Sequence, residues 1–153
     1  NIERKKIEKD LLNKIKNKIK INIDDPILIL SGNKWHGGII GIIASRLKDK
    51  FNKPTIIISF ENGIGQASAR SVIGFDIGSI IINAVKQNIL KKGGGHKMAG
   101  GFTIEENKID EFREFVIKKY KKIKKNIKKQ DKLMYDSKIS PCSLLHRHLI
   151  VRF

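Results

Sequence analysis

The chain has 153 residues, 32 basic against 15 acidic for a net charge of +17, and about 40% of it is hydrophobic. That is one domain's worth of chain, and the apolar runs Pro26 to Leu30 and Thr55 to Ser59 exclude a disordered polyelectrolyte. No run of about 18 apolar residues exists to cross a membrane, and the lone Cys142 can form neither an internal disulfide nor a zinc site, so a cytoplasmic protein with no membrane partner is expected.

In chain order, Ile7, Leu11, Ile15 and Ile19 recur every four residues and predict an amphipathic helix over 1–23, stopped by Asp24-Asp25-Pro26. Residues 26–31 read as a strand. The segment Gly37 to Leu47 is apolar nearly all round and reads as a buried helix. A second strand spans Thr55 to Phe60, the Asn62-Gly63 pair predicts a tight hairpin turn, and a third strand covers Gly65 to Val72. Asp76 is placed to cap a helix running to about Leu90. Lys91 to Gly101 then reads as a glycine-dense loop, Phe102 to Ile104 as a short strand, and the chain from about Lys108 as a final helix. Strands interleaved with helices predict an α/β fold, a mixed β-sheet flanked by helices.

The charge is unevenly placed. Residues 1–23 carry +5, residues 118–132 carry +8 from nine lysines and one aspartate, and the whole of 24–117 carries only +2. Lysine outnumbers arginine 26 to 6, as A/T-rich coding produces whatever the function. Position is therefore more informative than the total.

Three segments have residues suited to chemistry. Gly32 to Gly41 (GNKWHGGIIG) brings Trp35 and His36 to the start of a buried helix, where unpaired N–H groups and the helix dipole favour an anion; the alternative is a capped turn with Trp35 in the core. On the strand through Gly65, Ser68 and Arg70 share one face while Ala67, Ala69 and Ser71 take the other. The planar fork of Arg70 suits phosphate, and the alternative is a solvated arginine. Gly93, Gly94 and Gly95 followed by His96 permit a nest of N–H groups beside a donor or proton-transfer group, or else a helix C-cap and turn. No metal-ligand cluster, Ser-His-Asp arrangement or Cys-His arrangement is visible, so no self-sufficient catalyst is expected.

Taken together in register, GNKWHGGIIGIIASRL (32–47), Ser68-Ala69-Arg70-Ser71 with Gly74-Phe75-Asp76, and GGGHKMAGGF (93–102) resemble the DHH-associated lobe of the RecJ family of single-strand-specific 5′→3′ exonucleases. The resemblance implies a two-lobed metal-dependent phosphodiesterase of DNA repair and recombination. In such an enzyme, Mn or Mg ions sit in an Asp-His-His lobe that this chain does not include, so the chain itself binds no cofactor. It implies a connecting helix over 1–23, a substrate-binding lobe over 24–120, a basic helix extension over 121–132, and over 133–153 a truncated start of an oligonucleotide-binding domain, with Tyr135 to Ile139 as its first strand, or an unstructured tail. Ser68 and Arg70, with Ser71 beside them, would bind the 5′ phosphate of single-stranded DNA. His96 with Gly93, Gly94 and Gly95 would face the scissile phosphate in a supporting catalytic role, and Trp35 and His36 would stand at the cleft entrance. The chain is thus expected to be a piece of a longer or split enzyme, a separately encoded Asp-His-His lobe being a candidate partner.

The sequence departs from the family at Gly37, where Pro is usual, at Ala69, where Gly is usual and a methyl is expected to crowd the phosphate, and at Gly100, where Ala is usual. Two alternatives stay open: the same lobe from an oligoribonucleotide or cyclic-dinucleotide phosphodiesterase, and a non-catalytic basic binder or inert remnant.

Overall fold

The computed structural model describes residues 1–138. Its elements are α1 (Ile2–Asn22), β1 (Leu28–Asn33), α2 (Gly37–Phe51), β2 (Thr55–Glu61), β3 (Ile64–Arg70), α3 (Ile77–Lys86), β4 (Lys92–His96), β5 (Ala99–Glu105), a 3-10 turn at Glu106–Lys108, and α4 (Ile109–Lys138). The strands form one sheet in the order β1-β2-β3-β5-β4, with β1 and β2 parallel and all other neighbours antiparallel. This is the mixed α/β sheet flanked by helices that the sequence predicts. The parallel pair needs a crossover, which α2 supplies. The β2–β3 connection is the expected tight turn, with Asn62 at φ 51° and Gly63 at φ 76°, both in the left-handed region that a two-residue hairpin demands.

The β-pleat sorts side chains to two faces. Register pairs Leu30 with Ile57, Ile57 with Ser68, Ser68 with Gly101 and Gly101 with Gly94, so these five point one way. The β1–β2 half of that face is roofed by α1 and α2, where Leu11, Ile15, Ile39, Ile40 and Ile43 pack on Leu30 and Ile57. The opposite face carries Ile56, Ile58, Ala67, Ala69, Phe102 and Ile104, all buried. Helix α3 lies against β4 and β5, and the ring of Phe112 at the start of α4 packs on that of Phe102 at a tilt of 53°, with centroids 4.7 Å apart. The outer edge of β1 is closed by cations: Arg113 of α4 donates to the Ile29 carbonyl and Lys18 of α1 to that of Ser31.

Two elements differ from the sequence-based expectation. Helix α3 ends at Lys86 rather than Leu90, because Asn88 takes φ 58° and the chain turns to bury Ile89 and Leu90. The expected glycine loop is instead strand β4 and the start of β5. Glycines suit a strand here because α3 presses onto them. A Cβ at Gly93 would fall 2.8 Å from Ile81 Cγ2, one at Gly100 would fall 2.5 Å from Ile81 Cδ1, and one at Gly78 of α3 would fall 2.8 Å from the His96 carbonyl oxygen. The Gly78 contact is with backbone, which cannot turn aside, whereas that of Gly100 is with the flexible end of Ile81.

The described residues divide into two compact units after Lys119. In the second, residues 120–138 are helical throughout, with Lys124 Nζ 5.9 Å from the Tyr120 ring centroid. The strand expected from Tyr135 is thus not formed: the Leu, Met and Lys residues there are good helix formers and continue α4 to Lys138. Ile139 and the rest of the 133–153 segment, including Cys142, lie outside the described residues. No described helix is long and apolar enough to cross a membrane.

Asp76 caps α3, accepting from the Ser79 amide at 3.0 Å and the Ser79 hydroxyl at 2.9 Å, and the amide bond first of all holds its carboxyl below the ordinary aspartate range. A depressed carboxyl stabilises the fold above the unfolded-state value and loses that contribution as pH falls through the folded one. Asp76→Asn should therefore flatten the acid limb of a stability profile below about pH 4, measured by urea unfolding across pH. Gly78→Ala should cost about 1–3 kcal/mol, because α3 must lift off the β4 backbone. Gly37→Ala, whose Cβ would meet nothing within 4 Å, should be neutral or stabilising in the same denaturation series.

Candidate phosphate-binding site

The N-terminal half of α2 lies against β3 and borders an open pocket of about 540 Å³, lined by Gly37, Gly38 and Gly41 from the helix and by Gln66, Ser68 and Arg70 from the strand. The alternation of β3 turns these three polar side chains toward the helix while Ala67 and Ala69 enter the core. Arg70 Nη1 donates to Ser68 Oγ at 3.1 Å and to its neighbour's carbonyl, Ala69 O, at 2.8 Å, which fixes the fork in place. Its Nη2 lies 3.2 Å from where a Cβ on Gly41 would stand, and Ser68 Oγ lies 3.1 Å from the same point. Gly41 thus admits the helix close to both groups, a contribution that sequence reading missed; the only signal was its i+3 and i+4 spacing from Gly38 and Gly37.

The start of α2 is less open than an uncapped helix. His36 Nδ1 accepts from the Gly38 amide at 3.1 Å, and the His36 carbonyl takes the amides of Ile39 and Ile40. Three of the first four amides are thereby used, leaving the pocket the helix dipole and the Gly37 end. Trp35 does not line the pocket. Its indole lies over Gly32, packs on the α1–α2 core and has Lys18 Nζ 5.4 Å from its centroid, while its carbonyl accepts from Ser59 Oγ.

Beyond the pocket, no described helix covers the β5-β4 part of this face. Across it run three rows set by register: Gln66, Thr103 and Lys92; then Ser68, Gly101 and Gly94; then Arg70, Ala99 and His96. Gly94 would meet nothing within 4 Å on gaining a Cβ, and the middle of the shelf is bare backbone, exposed at Gly101 and half-buried at Gly94. Gly94 and His96 thus share the shelf with Arg70, with β4 about 9.6 Å from β3, whereas Gly93 and Gly95 face the helix side. His96 is exposed and its Nδ1 accepts from the Met98 amide at 3.4 Å. Ser71 is not part of this surface. It is buried, and its hydroxyl donates to the Phe75 carbonyl at 2.5 Å, bracing the β3–α3 loop. The methyl of Ala69 is buried on the far face, so it does not crowd the pocket as the sequence comparison suggested.

Chemically, the pocket and shelf offer a guanidinium, two hydroxyls, a carboxamide, an imidazole and an ammonium, with no carboxylate among them. That set suits an anion and does not fit a divalent cation. Among the described residues, no three His, Cys, Asp or Glu side chains gather to hold a metal.

Residues 24–122 match the DHHA1 domain family, and the chain belongs to that family. Within it, the likeness runs to exonucleases. The chain is 36% identical over 84 residues to the single-stranded-DNA-specific exonuclease RecJ of Dickeya dadantii, covering 53% of this chain and 15% of the relative. It is 33% identical over 93 residues to the RecJ of Bacillus subtilis, covering 60% and 12%. The crystal structure of RecJ in complex with Mn2+ from Thermus thermophilus superposes with a TM-score of 0.66 at 25% identity, over 76% of this chain and 17% of that one. The chain therefore spans about one-seventh of the length of these curated relatives.

An anion held between Arg70 and Ser68 should stabilise the fold. At about ten times its Kd, inorganic phosphate or pyrophosphate should add about 1.4 kcal/mol and raise the melting temperature by roughly 3–6 °C. Arg70→Ala should abolish the shift. Gly41→Ala should at least halve it while leaving the ligand-free melting temperature intact, since alanine is the better helix former.

Proposed function

We propose that this chain is the substrate-binding lobe of a RecJ-type exonuclease, holding single-stranded DNA by its 5′ phosphate. The observation that carries the reading is the joining of Arg70 and Ser68 beneath the start of α2, in a pocket without acidic groups. Arg70 offers a charge-assisted donor to the terminal phosphate, and Ser68, already oriented by Arg70, offers a second. The strand then continues over the bare backbone of Gly101 and Gly94 toward His96, which stands where the next phosphate would pass.

In this reading, the divalent ions that activate water belong to an Asp-His-His lobe outside these residues, part of the same polypeptide or separately encoded. This chain's residues bind, orient and shield. Orientation is a large part of phosphoryl-transfer catalysis, so a lobe with no catalyst of its own can still set which bond is cut. DNA repair and recombination in the cytoplasm would be the setting of such an enzyme.

The test is binding to single-stranded oligonucleotides with and without a 5′ phosphate at fixed salt, by fluorescence anisotropy. Arg70→Ala should weaken binding of the phosphorylated strand by about 10- to 100-fold and leave the 5′-hydroxyl strand within about twofold. Lys86→Ala on α3 should weaken both equally and slightly. Equal effects of the two substitutions would overturn the reading. A cyclic dinucleotide that competes better than a long phosphorylated strand would assign the lobe to the dinucleotide phosphodiesterases instead.

A further inference from the structure

Four arginines lie among the described residues, and they divide in two. Arg46 contacts Glu8 at 2.7 Å and Arg113 lies 3.8 Å from Asp25, so each has a carboxylate. Arg4 and Arg70 have no ion-pair partner among the described residues. These two guanidiniums are 66 residues apart in sequence, one on α1 and one on β3, yet both reach α2. Arg70 Nη2 stands 3.2 Å from the Cβ position of Gly41, and Arg4 Nη2 stands 3.7 Å from that of Gly38, one helical turn nearer the N-terminus. Residues three apart on a helix are neighbours, about 5–6 Å between Cβ positions.

The placement of Arg4 is electrostatically adverse for a purely structural tether. It donates to the Gly38 carbonyl at 3.2 Å, in the first turn of α2, where the helix dipole is positive and the helix has no acidic residue of its own. A cation that merely fastens one helix to another is better placed at a C-terminus. Two unpaired guanidiniums beside the positive end of a helix leave a local field that an anion of high charge relieves. A terminal phosphate monoester carries close to −2 near neutral pH, an internal phosphodiester only −1.

We propose that Arg4, from the first turn of α1, is a second phosphate-binding residue of the pocket, so that α1 and β3 together select a terminal phosphate monoester over an internal diester. This rests on the phosphate-binding reading of Arg70 above. Four further N–H donors remain on the Arg4 fork beyond the one given to Gly38, so the tether and the ligand contact are compatible. Binding then also pins α1 to α2 at the ligand.

The experiment uses three single-stranded oligonucleotides, ending in 5′-hydroxyl, 5′-phosphate or the methyl ester of that phosphate, against the full chain and its Arg4→Ala, Arg70→Ala and Lys5→Ala variants. Arg4→Ala should weaken the 5′-phosphate strand by about 5- to 10-fold, the methyl ester by less and the hydroxyl strand by under twofold. Lys5→Ala removes the same charge one residue along α1 and should lower all three alike. Arg4→Lys should restore part of the loss, and melting curves should show every variant folded. If Arg4→Ala matches Lys5→Ala while Arg70→Ala still loses the phosphate preference, Arg4 is only a tether and the inference fails alone. If Arg70→Ala also keeps the preference, the phosphate-binding reading fails with it.

Discussion

Every property of the site depends on which side of β3 each residue takes. The strand is pinned on both edges, to β2 through Ile57 opposite Ser68 and to β5 through Gly101 opposite Ser68. A slip of one residue would put Ser68 and Arg70 in the apolar layer on the opposite face and turn Ala67 and Ala69 outward. Burying an unpaired guanidinium is prohibitively costly, so the register that the hydrophobic residues prefer is also the one that presents the arginine. Fold stability and ligand presentation are therefore set by the same two-residue period. Ala69 shows how sharply that period decides. One position from Arg70, its methyl is entirely within the core and has no bearing on the pocket.

Charge acts locally rather than in bulk. The central 94 residues, 24–117, hold a net +2 of the chain's +17, and most of the lysine lies in the flanking helices. What distinguishes the pocket is that its charges are left unanswered. Glu8 pairs with Arg46 and Asp25 with Arg113, while the carboxylate of Asp76 is spent on capping α3. The first turn of α2 has no acid, and the shelf has none either. A modest number of positive groups without counter-charges makes a stronger local field than a larger number of solvated lysines, because exposed charges are screened over about 8–10 Å.

Much of the fold was legible because local chemistry and tertiary packing agree. Apolar periodicity gave α1, α2 and the first strands; the Asn62-Gly63 turn and the Asp76 cap have short-range mechanisms readable from sequence. The side of β3 that carries Ser68 and Arg70 followed from alternation alone. Strand β4 was not legible. Its glycines have low strand propensity, and they are there because Ile81 and Gly78 of α3 press against that backbone, a contact between residues distant in sequence. The same reason hid Gly41, which looks like an ordinary weak point in a helix until Ser68 and Arg70 are seen beneath it. Arg4 is one arginine in a lysine-rich helix, and only the packing of α1 on α2 brings it to the Gly38 carbonyl. Ser71 differs in the other direction: a hydroxyl beside Ser68 and Arg70 looks functional in sequence, but the pleat turns it inward to the Phe75 carbonyl.

The two edges of the sheet are unlike. On β1, the outward carbonyls of Ile29 and Ser31 are already occupied by side chains from α4 and α1, and a further strand would have to displace both. On β4, the terminal strand at the other side, nothing comparable blocks the backbone among the described residues. The sheet is consequently one-ended with respect to growth. Any extended segment that joined it, from a neighbouring domain or another molecule, would add beside Lys92 to His96, and so would become a wall of the shelf and narrow the surface on which a polynucleotide could lie.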